Sequence, residues 1–381
     1  MRLLIEASVL EQDQPSGVNY FTDGLAHSLE QLSPDKITTG YLWLNFLRRK
    51  TAHNRNTVDA EKHGLLQQIT AIPQRLYAKL VYFNVAPPLW SWKADWLLFP
   101  NFYIWPTLRR TKKAVIIHDL CFMRHPEYVE EKNRLFLDRV ANNSIKKADL
   151  IISNSQFTTS EILSLTDTPA EKIVTLSIPV DESQFLPTLN KGADHLANRY
   201  GITQPYSLSL GTLEPRKNLT ALVEAYCLLS ADIRSRYSLV LAGKWGWKIE
   251  SLKELIEEKR AAGYDIITTG HIDHDDKATF YRNASFYGIT THYEGFGMPL
   301  LEALHCGIPT VAVDIPVLRE VGGESCLWSE SKPEAVAAQL TALMSDQVLS
   351  RKLSALGVER AKDFSWSKVA QKLVDRLLQD A

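Results

Sequence analysis

The sequence has 381 residues, of which 45% are hydrophobic and 23% charged, and its formal net charge is −1. A chain of this length can form two domains with full cores or one unusually large domain, and its composition is that of a globular protein. The four cysteines lack metal-ligand spacing, no run of 18 or more apolar residues occurs, and the N-terminus lacks the features of a signal peptide. These observations argue against a zinc site, a disulfide framework and a membrane span, and they predict a cytoplasmic protein.

The first half of the chain alternates short apolar runs with amphipathic segments. Apolar side chains recur at helical spacing in residues 17–32 and 133–148, which predicts two helices. Residues 149–155 form an apolar run that leads directly into a third predicted helix, 156–165. The other runs typical of buried strands are 2–7, 95–100 and 113–120. This alternation predicts a parallel sheet wrapped by helices.

The pattern loosens over residues 179–200, which we interpret as a linker and the first helix of a second unit. It then resumes with predicted strands at 206–211, 237–243, 265–270, 286–291 and 309–314, and helices at 218–229, 249–263, 275–284 and 298–307. The tail, 364–380, is a further amphipathic helix that could return to the first unit. Because ligands of open parallel sheets bind at the carboxyl ends of the strands, we expect the loops after strands to carry the chemistry.

The near-zero net charge conceals a basic and aromatic segment. Residues 36–113 contain 13 Lys and Arg against 3 Asp and Glu, and they hold 13 of the chain's 36 aromatic residues. Such a composition favours contact with an anionic membrane surface or a lipid-linked ligand. The alternative is that many of the rings are core residues and the charges are simply solvated. Nucleic acid is disfavoured, because the segment has no recognised basic-aromatic RNA motif.

Two loops of the second half carry candidate binding residues. In "SLGTLEPRKNLTAL" a glycine turn precedes Arg216 and Lys217, just before a predicted helix, which suits a diphosphate, with a solvated turn as the alternative. Gly243 ends a predicted strand and would allow a planar base to approach the backbone.

The most informative stretch is "HYEGFGMPLLEALHCGIPTV", 292–311. Glu294 and Glu302 stand on either side of a Gly-Phe-Gly turn, at a spacing that fits two ends of one ligand. A carboxylate accepts hydrogen bonds from vicinal hydroxyls, so a sugar or a ribose is the expected ligand. The alternative is that both carboxylates are ordinary charges near a helix N-terminus.

Taken together, the glycine-containing N-terminal loop, "EPRKN", the strand-end glycine and "EGFGMPLLEALHCGIPTVAVD" resemble the retaining family 4 glycosyltransferases of the GT-B fold. The resemblance covers most of the chain and is strongest over 206–330. "GTLEPRKN" and "IHDL" are most similar to the mannosyltransferase-type branch that builds bacterial polysaccharides, including lipopolysaccharide O antigens. The resemblance implies two Rossmann-like α/β domains with parallel sheets, facing across a cleft. They are an acceptor-binding domain over 1–185 and a donor-binding domain over 200–363, with a helix, 364–381, packing on the first.

The resemblance also implies a role for each matching residue. Arg216 and Lys217 hold the donor diphosphate, and Glu302 accepts the ribose hydroxyls. Glu294 faces the transferred sugar and His118 lies beside the reacting sugar, so the catalytic set is His118, Glu294, Arg216 and Lys217. The other donor-binding residues supply turns and backbone amides: Gly17, Gly211, Gly243, Phe296, Gly297 and Met298.

Four further positions bear on the resemblance. Gly17, in "QPSGVNY", matches the first-domain loop that closes over the phosphates. Asp119 either orients His118 or caps the next segment, and the alternative for His118 is a satisfied histidine at a strand end. Pro179 departs from the glycine that many relatives have at the hinge, whereas the segment around Ser155 keeps the family's serine and threonine pattern.

The implied reaction transfers a hexose from a sugar nucleotide to an acceptor hydroxyl with retention of the anomeric configuration. We expect GDP-mannose as the donor, with a UDP- or dTDP-sugar as the alternative, and a glycan on a lipid diphosphate as the acceptor. No Asp-x-Asp occurs at a plausible donor-metal position, so Arg216 and Lys217 are expected to replace a metal, and no cofactor is expected. Expected partners include an anionic membrane at the inner face of the cell membrane and other glycosyltransferases of the pathway.

Three other activities remain open on the sequence. A GT-B epimerase would release nucleotide from the donor alone, and a phosphorylase with a cofactor would need a Schiff-base lysine, which nothing in the sequence marks. A non-catalytic partner subunit would keep the fold and lose charged site residues. Arg216, Lys217, Glu294 and Glu302 are all present, which disfavours that alternative.

Overall fold

The structure is a computed structural model that describes residues 1–11, 17–32, 37–44, 66–69, 74–88, 94–107 and 111–380. It divides into two compact units, one formed by Met1–Ile178 with Ser365–Ala381 and the other by Pro179–Phe364. The second unit therefore includes residues 179–200, which the sequence analysis interpreted in part as a linker.

The first unit contains a parallel sheet of seven strands among its described residues. The strands are β1 (Arg2–Glu6), β2 (Thr38–Leu44), β3 (Leu66–Ile69), β4 (Trp96–Phe99), β5 (Lys112–Ile117), β6 (Leu150–Ser153) and β7 (Ile173–Thr175), in the order β3-β2-β1-β4-β5-β6-β7. The helices are α1 (Gly17–Gln31), α2 (Gln74–Tyr82), α3 (Cys121–Arg124), α4 (Glu131–Lys147) and α5 (Gln156–Leu165). Strands β4 and β6 are buried at every position, as expected for parallel strands covered on both faces.

The second unit repeats this architecture with six parallel strands over Pro179–Phe364, all of which is described. They are β8 (Tyr206–Leu210), β9 (Ser238–Ala242), β10 (Ile266–Gly270), β11 (Phe286–Ile289), β12 (Thr310–Val313) and β13 (Cys326–Ser329), in the order β10-β9-β8-β11-β12-β13. Its helices are α6 (Ala193–Tyr200), α7 (Leu219–Leu228), α8 (Ala231–Arg234), α9 (Glu250–Ala261), α10 (Lys277–Asn283), α11 (Met298–His305), α12 (Pro316–Gly322), α13 (Pro333–Ser345) and α14 (Gln347–Ala361). Both sheets have the strand order of doubly wound dinucleotide-binding folds.

The last helix, α15 (Trp366–Gln379), belongs to the first unit although it follows the second in sequence. Its Trp366 packs on α1, where the ring lies 5.9 Å from that of Phe21. A β-carbon built on Gly24 would lie 2.2 Å from Cζ2 of Trp366, so only glycine leaves room for the indole at this contact. The absence of a side chain at Gly24 thus allows the C-terminal helix to pack on α1.

Several elements were not predicted from the sequence. Strands β2, β3, β7 and β13 and helices α2 and α12–α14 have weak or short patterns. For five rings of the basic, aromatic segment the core alternative is confirmed, because they are buried: Tyr41, Tyr77, Trp96, Phe99 and Trp105. Contact of the segment with a membrane stays a prediction. Phe83 is 59% exposed, whereas the basic run Arg48–Lys50 lies outside the described residues. No helix among the residues that are described is long and apolar enough to cross a membrane.

Candidate active site

The candidate site of the second unit lies where the strand order of its sheet reverses. Strands β8 and β11 are neighbours in the sheet although the chain between them forms β9 and β10. In doubly wound sheets the loops that follow such a pair of strands separate and leave a crevice at their carboxyl ends. The two loops here are 211–218 and 290–297, and they contain Arg216, Lys217 and Glu294.

The first of these loops is held in place by the second. Pro215–Lys217 form one turn of 3₁₀-helix, and Asn218 then takes a left-handed conformation with φ of 48°. Threonine hydroxyls that follow β11 close the turn: Oγ1 of Thr291 donates to the carbonyl oxygen of Arg216 at 2.9 Å, and Oγ1 of Thr290 donates to that of Asn218 at 2.9 Å. The turn therefore holds both cationic side chains at the edge of the sheet.

Arg216, Lys217, Glu214 and Glu294 form one partly buried ionic cluster. Nη1 of Arg216 donates to Oε2 of Glu294 at 2.7 Å, and its Nη2 donates to Oε1 of Glu214 at 2.8 Å. Nζ of Lys217 donates to the other oxygen of Glu294. Nη1 of Arg216 also donates to the carbonyl oxygen of Tyr293 at 2.9 Å. The four side chains are between 6% and 18% exposed, so the ionic contacts are shielded from solvent.

The carboxylate of Glu294 is strongly acidic in this environment. Burial alone would raise its pKa, but the charges of Arg216 and Lys217 and their hydrogen bonds outweigh burial and lower the pKa to about 2. Glu294 is therefore ionised at neutral pH. A base with such a low pKa accepts protons poorly, so this carboxylate is suited to accept hydrogen bonds and to orient the two cations.

Glu302 lies in the middle of α11 and has its own donors. Nζ of Lys277 donates to Oε1 of Glu302, and Oη of Tyr281 donates to Oε2 at 2.9 Å. The ring of Tyr281 lies 5.8 Å from that of Tyr287, whose hydroxyl is 3.5 Å from the carbonyl oxygen of Leu210 at the end of β8. The two tyrosine rings therefore extend from Glu302 to the carboxyl end of β8.

Two residues of the Gly-Phe-Gly turn, Phe296 and Gly297, have a structural role. Gly297 has φ of 102°, and a β-carbon there would lie 2.8 Å from a methyl carbon of Leu318. The ring of Phe296 is buried and packs edge-on against Phe364 at 5.7 Å, so its side chain is a core residue. Met298 begins α11, and the first amide groups of a helix have no partner within that helix. The predicted ligand contacts of Phe296, Gly297 and Met298 concern these backbone amides and stay a prediction.

The glycines at the ends of β8 and β9 meet each other. A β-carbon on Gly243 would lie 1.9 Å from the carbonyl oxygen of Gly211, and Gly243 has φ of 145°. The amide of Gly243 donates to the carbonyl oxygen of Gly270 at 3.0 Å. The close approach predicted at Gly243 is therefore made by the neighbouring backbone, which already requires glycine. The predicted contact with a nucleotide base stays a prediction.

The two predicted site residues of the first unit, Gly17 and His118, lie at the start of α1 and after β5. Gly17 is the first residue of α1, and the loop residues 12–16 before it lie outside the described residues. His118 follows β5, and its Nε2 lies 2.7 Å from the carbonyl oxygen of Pro100, which makes Nε2 the donor of the neutral ring. Burial lowers the pKa of His118, although the Pro100 hydrogen bond and the charge of Asp119 oppose that shift. Oδ1 of Asp119 accepts from the amide of Cys121 at 3.0 Å, which is the capping role of the two predicted for it.

Three site residues were missed by the sequence analysis, namely Glu214, Lys277 and Tyr281. Glu214 stands two residues before Arg216 in "EPRKN", so its proximity was a usable signal. Lys277 and Tyr281 share one face of α10, but nothing local to that helix indicates that Glu302 lies opposite. Their pairing with Glu302 depends on the packing of two helices that are distant in sequence.

Asp276, immediately before α10, has a separate structural role. Asp276 is fully buried and accepts hydrogen bonds from Lys191 at 2.6 Å, Arg199 at 2.9 Å and Tyr200 at 2.5 Å. These donors lie in or beside α6, which is thereby fixed to the start of α10. Burial would raise the pKa of Asp276, and the hydrogen bonds from Lys191 and Tyr200 lower it below its usual value.

Comparison with known proteins agrees with this architecture. Residues 195–360 match the family described as "Glycosyl transferases group 1". The chain is 32% identical to the "O-antigen chain mannosyltransferase B" of Escherichia coli over 278 aligned residues. The alignment covers 72% of each chain. It is 29% identical to the "Serotype-specific mannosyltransferase WbdA" of Escherichia coli over 281 aligned residues. That alignment covers 71% of this chain and 34% of the relative. The chain thus matches only 34% of the length of that second relative.

Two solved structures show the same fold at low sequence identity. The Anabaena protein Alr3699/HepE, crystallised with UDP and glucose, has a TM-score of 0.70 at 16% identity over 100% of both chains. WaaG, "a glycosyltransferase involved in lipopolysaccharide biosynthesis", has a TM-score of 0.66 at 13% identity over 98% of this chain and 99% of that one. At these identities the structures establish the fold, which is GT-B.

The chain therefore belongs to the group 1 glycosyl transferases. It is a glycosyltransferase whose ionic cluster lies at the switch point of the second sheet.

Proposed function

We propose that the protein transfers mannose from GDP-mannose to a hydroxyl of a lipid-diphosphate-linked glycan during O-antigen synthesis, with retention of configuration and without a metal. The observation that carries the proposal is the 32% identity to an O-antigen chain mannosyltransferase over 72% of the chain. The second relative is also named a mannosyltransferase, which supports the same sugar.

The diphosphate of the donor is assigned to Arg216 and Lys217. Both cations are held by Glu294, and Arg216 is held by Glu214 as well, so their positions are fixed before a ligand arrives. Cations that are oriented in advance stabilise a leaving diphosphate without reorganisation during the reaction. With two carboxylates nearby, the cluster is electrically balanced, which avoids a buried excess of positive charge in the free enzyme.

The low pKa of Glu294 supports a front-side mechanism. A carboxylate with a pKa of about 2 that is bonded to two cations is a poor general base and a weakened nucleophile. The acceptor proton would then pass to the departing phosphate oxygen, while the Glu294 carboxylate orients the cations and the hydroxyls of the transferred sugar. The bond from the anomeric carbon to the phosphate breaks as the bond to the acceptor oxygen forms on the same face.

The remaining assignments rest on the family resemblance. Glu302 is the acceptor of the ribose hydroxyls, and the amides of Phe296, Gly297 and Met298 contact the sugar and phosphate. Gly17 belongs to the loop over the phosphates, and His118 acts beside the reacting sugar. The neutral imidazole of His118, with Nε2 bonded to Pro100, leaves its Nδ1 as a hydrogen-bond acceptor.

The proposal is tested by a radiolabelled transfer assay with GDP-, UDP- and dTDP-sugars and a lipid-extract acceptor. We expect label from GDP-mannose in the lipid fraction, and an α-linked product as judged by NMR, since GDP-mannose is an α-glycoside. Transfer from a UDP- or dTDP-sugar instead would overturn the donor. A β-linked product would overturn retention.

Three further outcomes address the other activities. Free nucleotide released without an acceptor would favour an epimerase, and sugar phosphate formed from a glycan and inorganic phosphate would favour a phosphorylase. Absence of any turnover, together with tight donor binding, would favour the non-catalytic partner subunit. Addition of EDTA to an active preparation tests metal independence, because loss of transfer that Mg²⁺ restores would contradict it.

A further inference from the structure

The second site carboxylate, Glu302, receives both of its protein hydrogen bonds from one helix. Lys277 and Tyr281 are four residues apart on α10, so their side chains leave the same face of that helix. Lys277 donates to one oxygen of Glu302, and Tyr281 donates to the other at 2.9 Å. Each carboxylate oxygen thus has one donor on the protein side.

The position of the Lys277 ammonium group is fixed from several directions. Its side chain is 15% exposed, and its Nζ lies 5.4 Å above the ring of Phe185, which is a favourable cation–π contact. The residue before it, Asp276, is fully buried and is tied to Lys191 and Tyr200 at 2.6 and 2.5 Å. The N-terminal turn of α10 is therefore anchored, and the Lys277 side chain reaches Glu302 from a fixed point of the backbone.

Glu302 keeps acceptor capacity beyond these two donors. An ionised carboxylate has about four lone-pair sites, of which Lys277 and Tyr281 occupy one on each oxygen. The remaining site on each oxygen can accept one further hydroxyl. A pair of vicinal hydroxyls has the spacing to satisfy both oxygens of one carboxylate.

We propose that Lys277 is a positioning residue that, with Tyr281, holds Glu302 in the orientation that accepts both hydroxyls of the donor ribose. This inference rests on the proposed function, because it takes a nucleoside diphosphate sugar as the ligand. It makes Lys277 a determinant of specificity for ribose over 2′-deoxyribose. A deoxynucleotide offers one hydroxyl fewer and leaves a shielded, charged acceptor without its partner, which costs affinity.

The competing explanation is that Lys277 only neutralises a buried carboxylate and stabilises the fold. The two explanations differ in what they predict for a ligand that lacks the hydroxyl. If Lys277 orients Glu302, its loss weakens binding of the ribonucleotide more than binding of the deoxyribonucleotide. If Lys277 is merely structural, thermal stability falls and both ligands are affected alike.

The experiment measures binding of GDP and 2′-deoxy-GDP to the full chain by isothermal titration calorimetry. The variants are Lys277→Met, Lys277→Arg and Tyr281→Phe. Lys259→Met is the matched control, since Lys259 forms an ion pair with Glu258 on the exposed side of α9. For the wild type we expect a preference for GDP of about tenfold or more, the size of one hydrogen bond to a charged group.

In Lys277→Met we expect affinity for GDP to fall about tenfold while affinity for 2′-deoxy-GDP changes little, so that the preference disappears. Lys277→Arg should restore part of the preference, and Tyr281→Phe should reduce it, because the phenyl ring keeps the packing and loses only the hydroxyl. Lys259→Met should behave as the wild type. If Lys277→Met unfolds, the comparison of Lys277→Arg and Tyr281→Phe with the wild type decides the question.

The outcomes separate this inference from the proposed function. A wild type that binds neither guanine nucleotide but binds UDP overturns the GDP donor, and the ribose test then proceeds with UDP and 2′-deoxy-UDP. A wild type that binds GDP without preferring ribose overturns the role of Lys277 and leaves the donor intact. An unchanged preference in Lys277→Met, or equal weakening of both ligands, likewise overturns it.

Discussion

Oε2 of Glu294 lies 2.7 Å from Nη1 of Arg216, and the two residues come from loops that follow neighbouring strands of the second sheet. The contact joins a carboxylate predicted to face the sugar to a cation predicted to hold the diphosphate. Because Lys217 donates to the same carboxylate, Glu294 is the residue through which both cations are oriented. Substitution of Glu294 should therefore disturb the positions of both cations at once.

Replacement of Glu294 by glutamine is expected to lower the transfer rate about 100-fold or more, because it disturbs the oriented charges to which the proposed stabilisation of the leaving group is assigned. Radiolabelled transfer at saturating donor measures the effect, and circular dichroism checks that the fold is retained. Glu258→Gln is the matched control, since it removes an exposed carboxylate from a lysine pair in the same unit. Equal activity of Glu294→Gln and the wild type would contradict the assigned role.

The same carboxylate should make stability depend on pH. Its pKa in the folded protein is about 2 and its ordinary value is 4.5, so the stabilisation is complete above pH 4.5 and is lost as the pH falls towards 2. A pKa difference of this size corresponds to about 3 kcal/mol of unfolding free energy at most. In urea unfolding, the free energy of unfolding of the wild type should exceed that of Glu294→Gln by less at about pH 3 than at about pH 6. A difference that stays constant with pH would refute the shifted pKa.

The close contact between Gly243 and Gly211 predicts that alanine is not tolerated at position 243. The new β-carbon would lie 1.9 Å from a backbone oxygen at a φ of 145°, so two strand ends must separate. We expect a loss of about 3 kcal/mol or more in unfolding free energy. Gly263→Ala is the comparison, because Gly263 also has positive φ but has open space around it, and it should lose only about 1–2 kcal/mol. Similar losses in both variants would rule out the steric explanation.

The contact between Gly24 and Trp366 can be tested by a double-mutant cycle. Gly24→Ala should destabilise the protein by about 1–3 kcal/mol because the indole ring must shift. In a Trp366→Leu background the same change should be neutral or stabilising, since the obstruction is gone and alanine favours the helix. Additive effects of the two substitutions in thermal unfolding would mean that the two residues do not meet.

The last prediction is that the basic run Arg48, Arg49 and Lys50 binds an anionic membrane surface. Its structure lies outside the described residues, so the prediction rests on composition alone. Flotation with anionic liposomes should recover the wild type and lose the triple charge-reversal variant, because each cation near such a surface contributes about 1 kcal/mol. Addition of salt should mimic the variant. Unchanged flotation would remove these residues from the interface.

Much of this architecture could be read from local pattern. The local sequence predicts the burial of β4 and β6 and the helical spacing in α1. It also predicts that Arg216 and Glu294 follow strands. The partners of those side chains were not predictable in the same way. Lys277 meets Glu302 only through the packing of α10 beside α11, and Gly243 needs to be glycine because of a backbone oxygen 32 positions earlier in the sequence, that of Gly211.

The aromatic segment shows the converse difficulty. Trp96 and Tyr77 belong to a segment whose composition is that of a membrane-facing surface. Both residues are nevertheless buried in the first unit. Composition does not distinguish the buried face of an element from its exposed face. The rings of such a segment therefore have to be assigned one by one.

The return of α15 to α1 has a consequence for the order in which the protein is made. Trp366 leaves the ribosome only after all of Pro179–Phe364, so α1 waits for its partner while the whole second unit is synthesised. Until then, Phe21 and its apolar neighbours on α1 lack the cover that the late helix provides. The nascent first unit is thus the part of the chain that chaperones would be expected to protect, and the second unit, whose residues are contiguous, can fold as it emerges.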